Sequence, residues 1–196
     1  MEEFKTEKRK QKIRSVAHAR QKSLRIVLEN IHDPHNVSAI FRTCDAVGVP
    51  KVSLLYTVEK FPKIGKKSSA SAFKWVEKEK FKDVDACYSS LRAEGFTILA
   101  SSICGDAVSL YDLDLTQKTA IVLGNEHRGV SEEAAELADK KFLIPMCGMV
   151  QSLNVSVASA VILYEAFRQR IKKKMYDKSE YSLAEMNELL QSWYMR

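Results

Sequence analysis

No run of apolar residues in this 196-residue chain approaches the roughly 20 that a membrane span needs. The N-terminus is charged and does not read as a signal peptide, so a cytoplasmic protein without a membrane partner is expected. Cysteine is sparse: Cys44, Cys87, Cys104 and Cys147 show no CxxC spacing. That argues against a zinc site or a disulfide framework and leaves buried free thiols. There is no GxGxxG fingerprint. The nearest pattern, Gly124 to Gly129, has four residues between its glycines and continues with Val130, where a P-loop needs Lys and then Ser or Thr. There is no GxSxG nucleophile elbow. His32 and His35 flank Asp33, but Pro34 makes that segment a turn and no third ligand is evident, so no metal is expected. Internal repeats and low-complexity stretches are also missing.

What is present is an ordinary globular composition, 45% hydrophobic and 29% charged, enough for one domain with appendages. The formal net charge is +6. Residues 1–25 hold nine Lys/Arg against three Glu, leaving 22 basic and 22 acidic residues elsewhere. A basic arm on a neutral body suggests a polyanionic partner; the alternative is a solvated tail that aids solubility.

Alternating elements follow. Residues 3–20 favour a polar helix. Leu24 to Leu28 reads as a strand, the stretch from Val37 to Val47 as a helix stopped by Gly48, and Lys51 to Tyr56 as a second strand. Residues 57–72 are polar and lysine-bearing, with Lys60, Lys63, Lys66 and Lys67 around Phe61; they suggest a mobile loop over a site, or an ordinary surface loop. Phe73 to Val76 reads as a short strand, Asp83 to Glu94 as a helix and Phe96 to Ala100 as a strand. Two further strands, Ala120 to Leu123 and Phe142 to Pro145, each empty into a glycine-bounded loop. A long helix runs from about Leu153 to Lys174. Residues Ser182 to Trp193 form a last amphipathic helix, whose apolar stripe needs either this chain or a second subunit. Ligands of open α/β sheets sit where strands end and helices begin, so the two glycine-bounded loops mark the expected pocket.

Polar residues gather at those strand ends: Asn36, Arg42, Glu126, Ser152 and Asn154. Singly, each has a structural explanation. Asn36 suits an N-cap, Arg42 could pair with Asp45 or Glu126, and Ser152 and Asn154 could cap the long helix. Together they form a longer pattern: Asn36-x5-Arg42, Leu123-Gly124-Asn125-Glu126-x2-Gly129, and Ile144-Pro145-Met146-x-Gly148-x3-Ser152-Leu153-Asn154-Val155-Ser156-Val157-Ala158. This resembles the three signature motifs of the SpoU/TrmH branch of the SPOUT RNA methyltransferases. The third motif, continuing into Tyr164-Glu165-Ala166 and Arg168-Gln169-Arg170, is most similar to the tRNA guanosine-18 2′-O-methyltransferases. The resemblance covers about residues 20–176, with a tail shorter than in the longer members.

The resemblance implies an α/β fold with a mostly parallel sheet and a deep trefoil knot over about 120–165. The methyltransferase domain would span 23–174, between a basic N-terminal helix (1–22) and a C-terminal helical extension (175–196). It implies S-adenosylmethionine bound by Ser101, Gly124, Ile144, Met146 and Leu153, with loop glycines giving close approach to the adenine. It implies a homodimer with the active site at the interface, the apolar face of the long helix being split between core and dimer contact. Arg42 would orient a tRNA phosphate and a ribose 2′-OH. Asn36 would hold Arg42 or substrate, Glu126 would fix the motif loops by pairing with Arg42, and Ser152 and Asn154 would position the ribose. The expected RNA contacts are Lys8, Arg9, Lys12, Arg14, His35, Arg168 and Arg170. The alternatives are a SpoU-type enzyme acting on ribosomal RNA or the tRNA wobble ribose, a catalytically silent RNA-binding dimer, and, on sequence pattern alone, a nicotinamide-dependent enzyme.

Overall fold

The structure, a computed structural model, describes residues 6–62 and 72–196. Lys63, Lys66 and Lys67 of the expected loop, and the first five residues of the basic arm, lie outside the described residues. Seven strands form one sheet: β1 (Leu24–Glu29), β2 (Lys51–Leu55), β3 (Glu77–Phe81), β4 (Thr97–Ser101), β5 (Val108–Ser109), β6 (Thr119–Leu123) and β7 (Lys140–Leu143). Their order is β3-β2-β1-β6-β4-β7-β5, and every pairing is parallel. A parallel sheet is covered on both faces. Leu24, Ile26 and Leu28 of β1 join one core cluster, which includes residues of α2 (Pro34–Val47) and α6 (Val155–Lys172). Val27 points the other way, toward α4 (Val84–Ala93). β6 divides in the same way: Ile121 and Leu123 to the first cluster, Ala120 and Val122 to the second. That is the period-2 alternation of strand side chains.

Two assignments differ from expectation. Phe73 to Val76 is not a strand: Ala72–Trp75 forms a short helix, α3, and the strand is the next segment, Glu-Lys-Glu-Lys-Phe. Five residues with four charges carry no apolar alternation, yet they suit a sheet edge, where solvated Lys and Glu block further pairing. β7 begins at Lys140, two residues before the expected apolar run, because its backbone pairs with β4 whatever the side chains. The thiols also divide: Cys44 and Cys87 are buried as expected, Cys104 is partly exposed, and Cys147 is exposed.

The terminal helices pair with each other. α1 (Glu7–His18) and α7 (Leu183–Tyr194) bury Ile13, Ala17, Trp193 and Tyr194 in a small cluster with Trp75 packed against it. Met186, Leu189, Leu190 and Trp193 of the α7 stripe are therefore used within this chain, while Leu183 stays exposed. Two fully buried arginines fasten these appendages to the body. Arg20 donates to the carbonyls of Asp45, Val49 and Trp75, pairs with Asp45 and sits over the Trp193 ring. Arg170 donates to the carbonyls of Leu115, Ser23 and Gln117 and to the side chains of Gln21 and Ser23, with Glu180 at 3.7 Å.

Candidate active site

Because all strands run one way, the chain leaves β1, β2, β4, β6 and β7 at the same edge. The segments after β1, β2 and β6 are bolted together there. Glu126 is the first bolt: Oε1 accepts from Asn36 Nδ2 at 2.9 Å and from the Asp33 N–H at 3.1 Å, and Oε2 accepts from the His32 N–H at 3.0 Å. Partial desolvation opposes its charge. The Asn36 donor and the backbone N–H groups outweigh this and hold the carboxyl below the usual carboxylate range. Asn36 in turn accepts from Asn154 Nδ2 at 3.2 Å, so one chain of hydrogen bonds joins all three motif segments.

The motif loops are also internally shaped. Asn125 Oδ1 accepts from the His127 and Arg128 N–H groups at 3.0 and 3.2 Å, and Gly129, at φ 71°, returns its N–H to the Asn125 carbonyl at 2.8 Å. A Cβ on Gly124 would lie 2.0 Å from the Gly129 carbonyl carbon and from the Val130 nitrogen. Gly124 thus makes room for its own loop. Gly124→Ala is expected to displace the 124–130 backbone, abolish S-adenosylmethionine binding in titration calorimetry and lower the melting temperature. An unchanged melting temperature in that variant would refute the packing role.

Several expected details are corrected. Asp33, not Asn36, is the N-cap of α2; its side chain accepts from the His35 N–H at 2.8 Å. That frees the Asn36 amide for Glu126 and Asn154. Arg42 does not pair with Asp45 or Glu126. Asp45 is taken by Arg20, Glu126 accepts from Asn36 and two backbone N–H groups, and Arg42 lies exposed on α2 without an ion-pair or hydrogen-bond partner among the described residues. It sits six residues beyond Asn36, about 9 Å along the helix axis. Asn154 caps α6, accepting from the Ser156 and Val157 N–H groups, while Ser152 is exposed. Arg170 is not an RNA contact: it is fully buried and its donors are consumed by Ser23, Gln21, Leu115 and Gln117. Its place in the third motif cannot reveal this, because the acceptors come from distant segments.

Of the other expected RNA contacts, Lys8, Arg9, Lys12 and Arg14 are exposed on α1, Arg14 donating to the Tyr194 hydroxyl at 3.0 Å. His35 is exposed. Arg168 is held by two bonds to Glu165, both 2.8 Å, with most of its side chain in solvent.

Sequence reading missed Asn30 and Glu59. Asn30, at φ 51°, accepts on Oδ1 from the N–H groups of Thr57, Val58 and Glu59 and pins the start of the segment after β2. Thr57 to Glu59 are therefore fastened down, unlike a mobile loop. An Asn directly after an apolar run, a residue type that tolerates the left-handed region, was the available signal. The residues expected to bind a cofactor, Ser101, Gly124, Ile144, Met146 and Leu153, follow or end the adjacent strands β6, β4 and β7 or precede α6. Ile144, Met146 and Leu153 are half-buried, and none of the five carries a charge. Such a lining fits a cofactor held by shape and backbone groups. Among the described residues there is no His/Cys/Asp/Glu group fit to hold a metal, and no helix long and apolar enough to cross a membrane.

A family model described as the SpoU rRNA Methylase family matches residues 23–164. The tRNA (guanosine(18)-2′-O)-methyltransferase of Thermus thermophilus is 44% identical, over 96% of each chain. The enzyme of that name from Aquifex aeolicus is 42% identical, over 98% of this chain and 92% of its own. The solved A. aeolicus TrmH/SpoU tRNA modifying enzyme superposes with a TM-score of 0.90 over 96% of both chains at 42% identity. The SpoU methyltransferase AviRb from Streptomyces viridochromogenes, solved with AdoMet, gives 0.68 at 29% identity over 78% of this chain and 62% of its own.

Proposed function

The chain belongs to the SpoU rRNA Methylase family, and from that membership we propose that it methylates a ribose 2′-OH of RNA, the guanosine at position 18 of tRNA, using S-adenosylmethionine. The relatives similar over nearly the whole chain carry that specificity in their names. The structural observation that carries the reading is the hydrogen-bonded chain Glu126–Asn36–Asn154, which ties the three motif segments into one site.

S-adenosylmethionine supplies an activated methyl on a good leaving group, so the protein has to place the 2′-OH and favour loss of its proton. Ser101, Gly124, Ile144, Met146 and Leu153 would hold the cofactor. The trefoil knot over 120–165 belongs to this proposal, supported by the fold shared with the A. aeolicus enzyme. Arg42 is the exposed cation on the helix that Asn36 anchors. It acts on an RNA phosphate and on the 2′-OH, whose pKa a nearby guanidinium lowers. An always-protonated arginine serves better as an electrostatic and orienting group than as a base. Asn36, Glu126 and Asn154 fix the loops, and Ser152 faces the ribose. Lys8, Arg9, Lys12, Arg14, His35 and Arg168 supply the salt-dependent attraction to RNA.

The homodimer is also proposed. Val157, Tyr164 and Ile171 recur every seven residues along α6 and are each about half exposed, an apolar stripe on the helix that packs against α2.

The test is transfer of labelled methyl from S-adenosylmethionine to an unmodified tRNA transcript, beside a transcript lacking the guanosine at position 18. Label in the first alone is expected. Equal label in both moves the target elsewhere, and none in either overturns the tRNA reading.

A further inference from the structure

The mechanism above leaves one ionic cluster at the site unused. Glu59 accepts from Arg128 Nη2 at 2.6 Å, from His32 Nδ1 at 3.0 Å and from Asn125 Nδ2 at 3.2 Å. A carboxylate only accepts, so all three groups act as donors. They arrive from two different loops, after β1 and after β6. The Glu59 backbone is fixed as well, because Asn30 gathers the consecutive N–H groups of Thr57, Val58 and Glu59 onto one oxygen at 3.1 to 3.2 Å. The carboxylate is therefore rigid and largely shielded, its side chain 20% exposed, whereas Arg128 is 59% exposed. Burial opposes the charge on Glu59, but hydrogen bonds from Arg128 and His32 outweigh it and keep the group ionised.

A guanidinium carries five donors in a planar fork. Glu59 occupies Nη2 of Arg128, and among the described residues the rest of the fork has no partner. Arg128 lies two residues from Glu126, on the same short loop. We propose that Arg128 is a phosphate-binding residue for the RNA substrate at the rim of the site, and that Glu59 is the positioning residue that aims it. This rests on the RNA reading above and adds a contact outside the three motifs.

Glu59 is itself negative beside a polyanion, so two physical effects predict opposite signs. If charge alone matters, removing it draws RNA in. If it aims the arginine, removing it frees a flexible side chain that must then be ordered at the moment of binding. The second effect is worth about two- to tenfold in affinity.

The experiment measures methyl transfer to an unmodified tRNA transcript for wild type, Glu59→Gln, Arg128→Gln and the double variant, with kcat and KM for RNA separated. Melting temperature and S-adenosylmethionine affinity serve as folding controls. Glu59→Gln is expected to raise KM for RNA about two- to tenfold with kcat less affected. Arg128→Gln should do the same and reduce the slope of log affinity against log salt by about 0.7 to 0.9, one phosphate contact. In the double variant the Glu59 change should add nothing, since there is no arginine left to aim. A wild-type enzyme that methylates RNA, with a Glu59→Gln KM unchanged or lower, overturns the proposal alone. A wild type that neither binds nor methylates RNA overturns the underlying reading and this proposal with it.

Discussion

Arg42→Ala is expected to reduce methyl transfer by at least about 100-fold while leaving the fold and S-adenosylmethionine affinity intact. The separation follows from geometry. Arg42 is exposed on α2 and has no partner among the described residues, so its loss strands no buried donor or acceptor. Surface substitutions of that kind alter stability by within about 0.5 kcal/mol. The residues proposed to hold the cofactor sit at the ends of β4, β6 and β7 and before α6, not on α2. Single-turnover transfer, calorimetric cofactor titration and thermal melting together check the split. Arg42→Lys refines it. A fork that must engage a phosphate and the 2′-OH together is not replaced by a point charge, so the lysine variant should stay close to the alanine one. Near-normal turnover in Arg42→Ala would remove Arg42 from the chemistry.

Arg170→Ala is expected to be the most damaging single substitution for stability, about 3–5 kcal/mol. For a chain of this size that lowers the melting temperature by roughly 10 °C. Arg170 is fully buried, and its loss leaves the carbonyls of Leu115, Ser23 and Gln117 and the Gln21 side chain short of a donor, and Glu180 without its cation, held by Ser23 alone. Lysine cannot serve acceptors spread around a planar fork, so Arg170→Lys should recover little. Arg168→Ala is the control two residues away. Its exposed pair with Glu165 contributes within about 1 kcal/mol, so the melting temperature should barely move. RNA affinity per folded molecule should fall for Arg168→Ala and not for Arg170→Ala. A normal melting temperature with weakened RNA binding in the Arg170 variant would return it to the RNA surface.

The sequence alone determined most of the element order, because β1, β4 and β6 are apolar runs bounded by turn residues, and Gly48 and Gly95 end helices at φ 86° and 83°. It also placed Asn36, Glu126 and Asn154 where they meet, since three motif segments each follow a strand and parallel strands deliver their ends to one edge. The family resemblance was legible for the same reason: Asn36, Arg42, Glu126, Ser152 and Asn154 stand at fixed spacing around glycine-bounded loops.

Partner choice was decided only by tertiary structure. Arg42, Arg168 and Arg170 look alike in sequence, but one has no partner among the described residues, one is tied to its own helix, and one is sunk among the carbonyls of Ser23, Leu115 and Gln117. Glu126 takes Asn36 and two backbone N–H groups because Asp33 has already claimed the helix cap. β3 is a strand only because β2 offers it an open edge. Each outcome depends on long-range geometry. An ionisable side chain is assigned to solvent, to a buried network or to catalysis by which distant groups reach it, and one-dimensional spacing holds no record of that distance.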